Sequence, residues 1–361
     1  MNLRVVAVVA ALVVAGAWFA TQKKAAVSEV ESITLFPDLV GVANEIDRIA
    51  IASPARTRTL VRDDGLWGLQ EFDGFPVKVG GIKSLVVQLS NLKTVEAKTK
   101  KPESYARIGV QDYVAGNENS NLIEVLSGET QIASVIVGKR RENSADPEHF
   151  MRKPGEEQSW LVGGEIDLLA NLSELMDMTV CDVPSERVRE ITVSPLDSSP
   201  FRLSKSGADD SFFALTPIPE GYEPKSRTTV SSLGAVLLDL RFDAAASRDR
   251  INDLTPVNSI TMITFDGLVA KVDEFEAAER RLVRIDFSYA AELATAPDDE
   301  GEDSPTPGTN EPEAPSETVA EEVARLNAVV NGWVYELPKY KSRQLGKRLD
   351  DLVKPIENSD E

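Results

Sequence analysis

The sequence predicts an α+β protein with an N-terminal transmembrane helix followed by two tandem repeats, each of antiparallel strands with packed amphipathic helices. Three observations predict this fold class: an uncharged apolar run near the N-terminus, an alternation of short strand and helix patterns, and the recurrence of that pattern in the second half of the chain. With 361 residues, of which 42% are hydrophobic and 27% charged, the chain has the length and composition of two globular domains.

The first element is the apolar run over residues 5–20, which holds no charged side chain and is closed by Lys23 and Lys24. Since a helix rises about 1.5 Å per residue, the run spans about 24 Å and approaches the ~30 Å hydrocarbon core of a bilayer. We therefore expect a membrane anchor over residues 1–24, with residues 5–20 in the membrane. The alternative is a cleaved signal peptide, because Ala15-Gly16-Ala17 has the small residues of a cleavage site. Both alternatives deliver the rest of the chain across a membrane.

A lead-in over residues 25–43 precedes the first predicted repeat, residues 44–184. The repeat opens with residues 46–51, where apolar and polar side chains alternate as in a half-buried strand. Its further elements are a hairpin with the turn Asp63-Asp64-Gly65, a helix over 82–92, a hairpin around Ser127-Gly128, strands at 149–151 and 160–162, and a helix over 168–176. Glycine and aspartate mark the turns, and leucine at three- and four-residue steps marks the helices.

The second predicted repeat spans residues 185–355 and shows the same succession, before a tail over 356–361. It opens with residues 188–193, which alternate as the first strand does. Its further elements are a hairpin with the turn 207–210, a helix over 230–240, a hairpin around Asp266-Gly267, a strand at 282–287, a helix over 319–330, a strand around Trp333 and a helix over 345–353. The recurrence indicates an internal duplication.

One segment breaks the symmetry between the repeats. Residues 295–316 are rich in Pro, Asp, Glu, Gly and Thr, and no Lys or Arg occurs between Arg284 and Arg325. Such a segment cannot bury enough apolar surface to offset its loss of conformational entropy. We therefore predict a disordered acidic loop inside the second repeat.

The formal net charge of −20 argues against a nucleic-acid partner, because the phosphate backbone is a polyanion. The single cysteine, Cys181, allows no intrachain disulfide, and together with the single histidine, His149, it cannot supply the ligands of a zinc site. We predict that Cys181 is a small buried core residue and that His149 lies at the surface or at a strand edge.

No pattern of catalytic, cofactor-binding or metal-binding residues is recognisable in the sequence. Gly138-Lys139 is followed by Arg140, whereas a phosphate loop needs serine or threonine there. The paired carboxylates Asp63-Asp64 and Asp209-Asp210 fall in predicted turns, where the backbone favours aspartate. We therefore expect neither enzymatic activity nor a cofactor. A carboxylate-dependent hydrolase is the weaker alternative, because such acid pairs are assembled in space.

Six basic residues crowd the last helical region of this acidic chain: Lys339, Lys341, Arg343, Lys347, Arg348 and Lys354. The first five are the candidate docking residues. Two interpretations are open. One is a solvated helix face, on which the long side chains keep their charges in water. The other is a docking surface for an acidic partner, or for the acidic loop of the chain itself.

Several packing motifs resemble those of a known family. They are Trp67-Gly68-Leu69 before a leucine-rich helix, Trp160-Leu161-Val162 with a helix that runs into Val180 and Val183, and the ending from Gly332 to Pro338. Over residues 44–355 the layout is similar to the domain-of-unknown-function family numbered 4340. The resemblance implies a bacterial protein with a single N-terminal membrane segment, of a family often encoded beside gliding-motility-type ABC transporter subunits. It supplies no catalytic residues.

Together these expectations favour a non-enzymatic accessory or scaffold subunit of an ABC-type transport complex, with the transporter permease or another envelope protein as partner. We expect a single-pass protein of the bacterial inner membrane, with the bulk of the chain on the periplasmic side. The alternative is a periplasmic binding module for a small ligand or glycan, seated between the two repeats.

Overall fold

The computed structural model describes residues 32–114, 120–169, 171–277, 280–295 and 317–356. The predicted anchor over residues 5–20 and nearly all of the predicted acidic loop, residues 296–316, lie outside this set. Within it, no helix has both the length and the apolar character needed to cross a membrane. The fold is mixed α+β, as predicted, and the described ranges contain seven α-helices and strands that pair mostly antiparallel.

The elements of the described residues are bounded as follows. The strands of the first half are β1 (Arg48–Ala52), β2 (Thr57–Asp63), β3 (Leu66–Leu69), β4 (Phe75–Pro76), β5 (Lys93–Ala97), β6 (Asn121–Ser127), β7 (Thr130–Arg140), β8 (Glu148–Arg152), β9 (Ser159–Gly163) and β10 (Thr179–Cys181). Those of the second half are β11 (Val188–Pro195), β12 (Phe201–Ser204), β13 (Ala214–Thr216), β14 (Tyr222–Pro224), β15 (Leu240–Arg241), β16 (Ala244–Ser247), β17 (Asn258–Thr264), β18 (Leu268–Ala277), β19 (Arg280–Tyr289), β20 (Trp333–Glu336) and β21 (Val353–Pro355). The α-helices are α1 (Val79–Asn91), α2 (Tyr105–Ile108), α3 (Leu172–Leu175), α4 (Arg227–Ser231), α5 (Val319–Val330), α6 (Lys339–Leu345) and α7 (Leu349–Leu352).

Two compact units divide the chain. The first comprises residues up to Arg58 together with residues 80–170, and the second comprises residues 59–79 together with the chain from Asn171 onward. The units are defined by contacts in space, whereas the predicted repeats are defined by the recurring sequence pattern. The repeat boundaries therefore stay a prediction.

In the first unit, six strands form an antiparallel sheet in the order β1-β6-β7-β8-β9-β5. The β6–β7 hairpin turns at Gly128, whose φ of 56° is left-handed, as expected for its predicted turn. Inward-facing side chains such as Ile49, Ile123 and Leu161 are buried and supply the core. Helix α1 buries one apolar stripe that includes Leu85.

In the second unit, eight strands form a sheet in the order β13-β12-β11-β17-β18-β19-β20-β16. Helix α5 packs on β19, where the side chain of Asn327 accepts from the N–H of Phe287 at 3.1 Å and donates to its carbonyl at 2.8 Å. Thr318 and Glu321 form the capping box that starts this helix. Gly332, with a left-handed φ of 84°, follows its end as predicted.

The two sheets share one strand order. The six strands β1-β6-β7-β8-β9-β5 correspond one by one to β11-β17-β18-β19-β20-β16. In both sheets the edge strand, β5 or β16, pairs with the strand that carries a tryptophan, β9 or β20. The recurring sequence pattern thus has a recurring strand order as its structural counterpart.

A second repeated feature lies within the second unit, where two lysines contact two one-turn helices. The backbone N–H of Lys78 donates to the carbonyl of Leu175 in α3 at 2.6 Å, and that of Lys225 donates to the carbonyl of Leu352 in α7 at 2.8 Å. Each ammonium group also donates to the carbonyl two residues earlier in the same helix, at 3.3 and 3.2 Å. The same local connection therefore occurs twice.

The predicted helix over residues 230–240 is wrong in its length. Helix α4 is followed by a short 3₁₀-helix, and Leu240 begins strand β15. Serine and glycine are poor helix formers, and Ser232 and Gly234 lie where the α-helix would continue. Asp239 then takes a left-handed φ of 41°, which no regular α-helix contains.

The two helices predicted to close the repeats are also shorter than expected. Among the described residues of the range 168–176, only the single turn α3 is helical, because Leu169 has a left-handed φ of 47° and the side chain of Asn171 caps the start of that turn. Over residues 345–353 the chain leaves α6 at Gly346, returns as the single turn α7, and ends in strand β21. Glycine favours such a break because it loses more backbone entropy in a helix than other residues.

Candidate functional site

A basic groove lies in the second unit, beside strand β20. The start of β19, the end of β20 and helix α6 form its walls, and its volume is about 770 Å³. Its charged lining residues are Arg280, Arg281, Glu336, Lys339 and Arg343. Four cations and one carboxylate thus meet on a chain whose formal net charge is −20. We call this surface the basic groove.

Helix α6 supplies two of the cations because its two faces differ. Lys339 and Arg343 are four residues apart and therefore share one face of the helix. The Arg343 Nε donates to the carbonyl of Lys339 at 3.3 Å, so the guanidinium stays close to its own helix. Lys341 and Leu345 lie on the other face, and both are buried.

The β18–β19 hairpin supplies the other two cations. The Arg280 Nε lies 2.8 Å from the Glu336 Oε2, and the Arg281 Nη2 lies 3.3 Å from the Glu276 Oε1. All four side chains are about half exposed, so each ion pair contributes roughly 1 kcal/mol or less to stability. Another anion can therefore replace either carboxylate at small cost.

The helix cations have fewer acidic neighbours than the hairpin cations. Within the described ranges, no carboxylate lies within 4.0 Å of the Lys339 ammonium or the Arg343 guanidinium. Their charges are therefore balanced mainly by solvent in the described part of the chain. An anionic ligand would gain attraction there without first displacing an internal ion pair.

The prediction that Lys341 belongs to a docking surface is wrong. Its side chain is only 4% exposed, and its Nζ donates to the carbonyls of Ala235, Val236 and Leu238 at 2.9, 2.8 and 2.7 Å. The last carbonyls of a helical segment have no partners within the helix, and this ammonium group satisfies three carbonyls at such an end. Burial lowers the pKa of Lys341. Lys341 therefore joins α6 to the segment after α4 and does not face a partner.

Two further members of the predicted docking set also make internal bonds. Lys347 donates to the Ser232 hydroxyl at 2.6 Å and to the Thr229 carbonyl at 3.2 Å, and its burial lowers the pKa of its ammonium group. Arg348 lies 2.9 Å from the Asp197 carboxylate and donates to the Gly346 carbonyl at 3.0 Å. Of the five predicted residues, Lys339 and Arg343 line the basic groove.

Sequence reasoning missed the two hairpin arginines of the groove. Arg280 and Arg281 belong to a distant hairpin, and no spacing rule connects a hairpin to a helix that follows it so much later in the chain. The available signal was the adjacent arginine pair at the start of the predicted strand 282–287. Only the β19–β20 pairing, with Val283 opposite Tyr335, brings that pair beside helix α6.

A buried pair of polar side chains lies against the C-terminal end of helix α6. Glu274 is only 1% exposed, and the Asn258 Nδ2 donates to its Oε2 at 3.2 Å and to the carbonyl of Leu345 at 2.8 Å. Burial raises the pKa of Glu274, since desolvation disfavours a carboxylate. These contacts hold the C-terminal end of α6 against β17 and β18.

Cys181 and His149 are both withdrawn from solvent, the first fully and the second in part. Cys181 is buried, as predicted, and burial raises the pKa of its thiol to about 12, so that it is a neutral thiol near pH 7. His149 is half-buried in β8, which pairs with β7 on one side and β9 on the other. Of the two expected positions, the surface or a strand edge, the edge does not apply to this interior strand, whereas the side chain is partly exposed. Burial lowers the pKa of His149, mainly by desolvation.

The paired carboxylates lie at or beside turns, with Asp63 at the end of strand β2 and Asp64 in the turn that follows it. Asp64 and Gly65 have left-handed φ angles of 47° and 82°, as in a tight hairpin turn. The Asp210 carboxylate accepts from the backbone N–H groups of Ser206 and Gly207 at 2.7 and 3.1 Å. In the part of the chain that the structure describes, no three His, Cys, Asp or Glu side chains form a metal-binding group.

Comparison with known proteins identifies the family but no characterised relative. The family described as Domain of unknown function (DUF4340) matches residues 67–258, slightly more than half of the chain. The match extends from strand β3 to the first residue of β17, a shorter range than the resemblance predicted over residues 44–355. No curated protein and no solved structure matches the chain. The chain belongs to the DUF4340 family.

Proposed function

We propose that the protein is a non-enzymatic accessory or scaffold subunit of a bacterial ABC-type transport complex, and that its basic groove docks an acidic segment of a partner protein. The observation that carries this proposal is the meeting of Arg280, Arg281, Lys339 and Arg343 in one groove of a strongly acidic chain. The partner is a permease or another envelope protein of the complex.

The charge distribution supports selective docking. A chain with a net charge of −20 repels acidic proteins over most of its surface, so an acidic segment is attracted only where cations cluster. Guanidinium groups bind carboxylates through two parallel hydrogen bonds, which adds geometric selectivity to the attraction. Arg280 and Arg281 would make such contacts once their half-exposed internal pairs opened.

The proposal includes an internal duplication and a membrane anchor. The shared strand order and the equivalent bonds made by Lys78 and Lys225 support the duplication. The apolar sequence of residues 5–20 supports the anchor, which would hold the protein at the periplasmic face of the inner membrane. The protein and a partner in the same membrane would then meet by diffusion within the membrane plane.

A second candidate function is the binding of a small ligand in the first unit. A pocket of about 460 Å³ is lined by Phe36, Leu39 and Lys153, among others. The Lys153 ammonium lies 5.2 Å from the centre of the Phe36 ring. Asp38 and Glu156 also line the pocket. An apolar molecule with both an anionic and a cationic group would suit this lining, because the ring packs against its body, the ammonium pairs with the anion and the carboxylates pair with the cation.

Recovery of partners from native membranes tests the docking proposal. The full chain is extracted in mild detergent with its complex, either unchanged or with Arg280, Arg281, Lys339 and Arg343 all replaced by Glu. We expect the unchanged chain to retain a transporter subunit at about 0.1 M salt and to lose most of it at about 1 M, where the Debye length falls from ~10 to ~3 Å. We expect the fourfold variant to lose it at both.

A matched control separates docking from net charge. Lys83, Lys93, Lys100 and Lys101 are exposed residues of the first unit, and their replacement by Glu changes the charge of the chain by the same amount. This control variant is expected to retain the partner. Equal recovery by the groove variant and the unchanged chain, or equal loss from both variants, would contradict the proposal.

A further inference from the structure

The outer edge of strand β13 is a second surface with the features of a binding site. β13 is the terminal strand of the eight-stranded sheet and pairs with β12, with Leu215 opposite Leu203. Among the residues that the structure describes, no strand pairs with its other side. A sheet edge of this kind presents backbone N–H and C=O groups that another strand can bond.

The corresponding edge of strand β3 is covered by the chain itself. β4 pairs with β3, with Phe75 opposite Leu69 and Pro76 opposite Gly68. Two further backbone bonds continue this contact, from the N–H of Gly74 to Leu69 and from that of Val77 to Trp67, both at 2.9 Å. β3 therefore has a strand on each side.

The matching segment of the second half bonds a different strand. β14 precedes Lys225 as β4 precedes Lys78, and both lysines make the same bond to a one-turn helix. Yet β14 pairs with β21, with Tyr222 opposite Pro355, and not with β13. In the described part of the chain, no strand therefore occupies beside β13 the position that β4 occupies beside β3. One backbone donor next to this edge, the N–H of Phe213, is bonded to the Ser231 hydroxyl at 3.0 Å.

A groove of about 430 Å³ with an apolar wall and a polar rim that includes Asp210 lies beside this edge. Phe213, Leu215 and Val230 form its buried wall, and Phe212 and Ile218 at its rim are 41% and 45% exposed. When a partner covers such exposed apolar side chains, the free energy of binding gains about 25 cal/mol per Å² of apolar area removed from water.

The groove also carries a cation that favours an aromatic or acidic neighbour. The Arg227 guanidinium lies 5.8 Å from the centre of the Phe212 ring and lines the same groove. An arginine in this position can stack on a further aromatic ring of a ligand. The charge and the apolar wall together indicate an extended segment with aromatic and aliphatic side chains.

We infer that the free edge of β13 accepts an extended apolar segment of a partner protein, which adds to the sheet as β4 adds to β3. The β4 segment indicates the chemistry of the occupant, because its sequence Phe75-Pro76-Val77 fills the equivalent position. Main-chain hydrogen bonds supply affinity in strand addition, and the pocket for the aromatic side chain supplies selectivity. The inference does not depend on the basic groove.

Titration with a defined peptide tests the inference. The probe is a fluorescently labelled peptide with the sequence of residues 72–78, Phe-Asp-Gly-Phe-Pro-Val-Lys. It is titrated with the purified full chain in detergent and followed by fluorescence polarisation. We expect saturable binding, and binding weakened at least tenfold when the residue equivalent to Phe75 in the peptide is alanine.

Protein variants locate the binding. The double variant Phe212→Ser with Ile218→Ser alters two exposed rim residues, so it is expected to fold and to bind the peptide at least fivefold more weakly. The control variant Leu66→Ser with Leu196→Ser removes exposed apolar side chains elsewhere and is expected to bind normally. Absence of saturable binding, or binding unaffected by the rim substitutions in a folded variant, overturns the inference.

Discussion

The segments that follow strands β9 and β20 differ, although the two strands hold equivalent places in their sheets. After β9, residues 164–171 lead to the one-turn helix α3 without a further helix among the described residues. After β20, residues 337–348 contain the additional helix α6 before the one-turn helix α7. The additional helix brings Lys339 and Arg343 beside the hairpin arginines. The strand order common to both sheets therefore serves packing, whereas the additional helix α6 completes the charged surface.

The second departure concerns the strand before each lysine contact. β4 bonds β3, whereas β14 bonds β21 and leaves the edge of β13 free of strands in the described ranges. Both candidate binding surfaces thus lie where the second half differs from the first.

The largest expected effect tests whether the repeated one-turn helices are equivalent. Leu175 and Leu352 are both fully buried, so replacing either by Ala is expected to cost about 2–5 kcal/mol of unfolding free energy through lost contacts and a cavity. Urea denaturation of the full chain measures both costs. The exposed substitution Leu66→Ala serves as control, and costs that differ by more than about 2 kcal/mol would break the equivalence.

The next effect compares the two faces of helix α6. Lys341→Met leaves three carbonyls without their donor; the bond to Val236 is buried, and those to Ala235 and Leu238 are partly buried. Each buried unsatisfied group costs about 1–3 kcal/mol, so a loss of roughly 3 kcal/mol is expected. Lys339→Met changes an exposed residue and is expected to alter stability by less than ~0.5 kcal/mol. If both variants lose the same unfolding free energy in urea denaturation, the two faces of α6 do not differ in burial as the structure indicates.

A smaller expected effect is a pH-dependent change in stability, and it tests the role of the buried Glu274 near the end of α6. Burial raises the pKa of Glu274 above its usual value near 4.5, so the unfolded chain releases this proton at lower pH than the folded chain. The stability associated with the neutral carboxyl is present below pH 4.5 and is lost as the pH rises through the folded pKa. Glu274→Gln is therefore expected to stabilise the protein by about 1 kcal/mol at pH 7 and hardly at pH 4. Thermal unfolding at the two pH values measures this, and a larger gain at pH 4 would contradict it.

The smallest expected effect concerns the single carboxylate of the basic groove. Glu336→Gln removes one half-exposed ion pair with Arg280, so stability is expected to change by less than ~0.5 kcal/mol. The affinity for an acidic partner is expected to rise about threefold, since a competing anion is removed. Binding of a partner segment measured by calorimetry decides this, and unchanged or weaker affinity would place the partner elsewhere.

Much of the strand pattern could be predicted from the sequence because its physical causes are local. Alternating apolar residues gave the first strand of each repeat, and Asp64-Gly65, Gly128 and Asp266-Gly267 gave three hairpin turns that the structure contains. Helix α5 was predicted with its bounds, since its cap and its leucine and valine stripe lie in one continuous segment.

The helix lengths and the groove could not be predicted in the same way because they depend on distant contacts. The left-handed backbone at Leu169 and Asp239 ends two apolar patterns that otherwise suit a helix. Lys341 resembles its exposed neighbours in sequence, and only the carbonyls of residues 235, 236 and 238 distinguish it. The arginines of the β18–β19 hairpin reach α6 only through strand pairing.

Site-specific photocrosslinking in intact cells tests the central claim most directly. A photoreactive amino acid replaces Ser342, which lines the basic groove, or Lys83 on the first unit as control. We expect a covalent product between position 342 and an acidic segment of a transporter subunit, which disappears when Arg280 and Arg281 are replaced by Glu. No product at position 342, or the same product from position 83, would contradict docking at the basic groove.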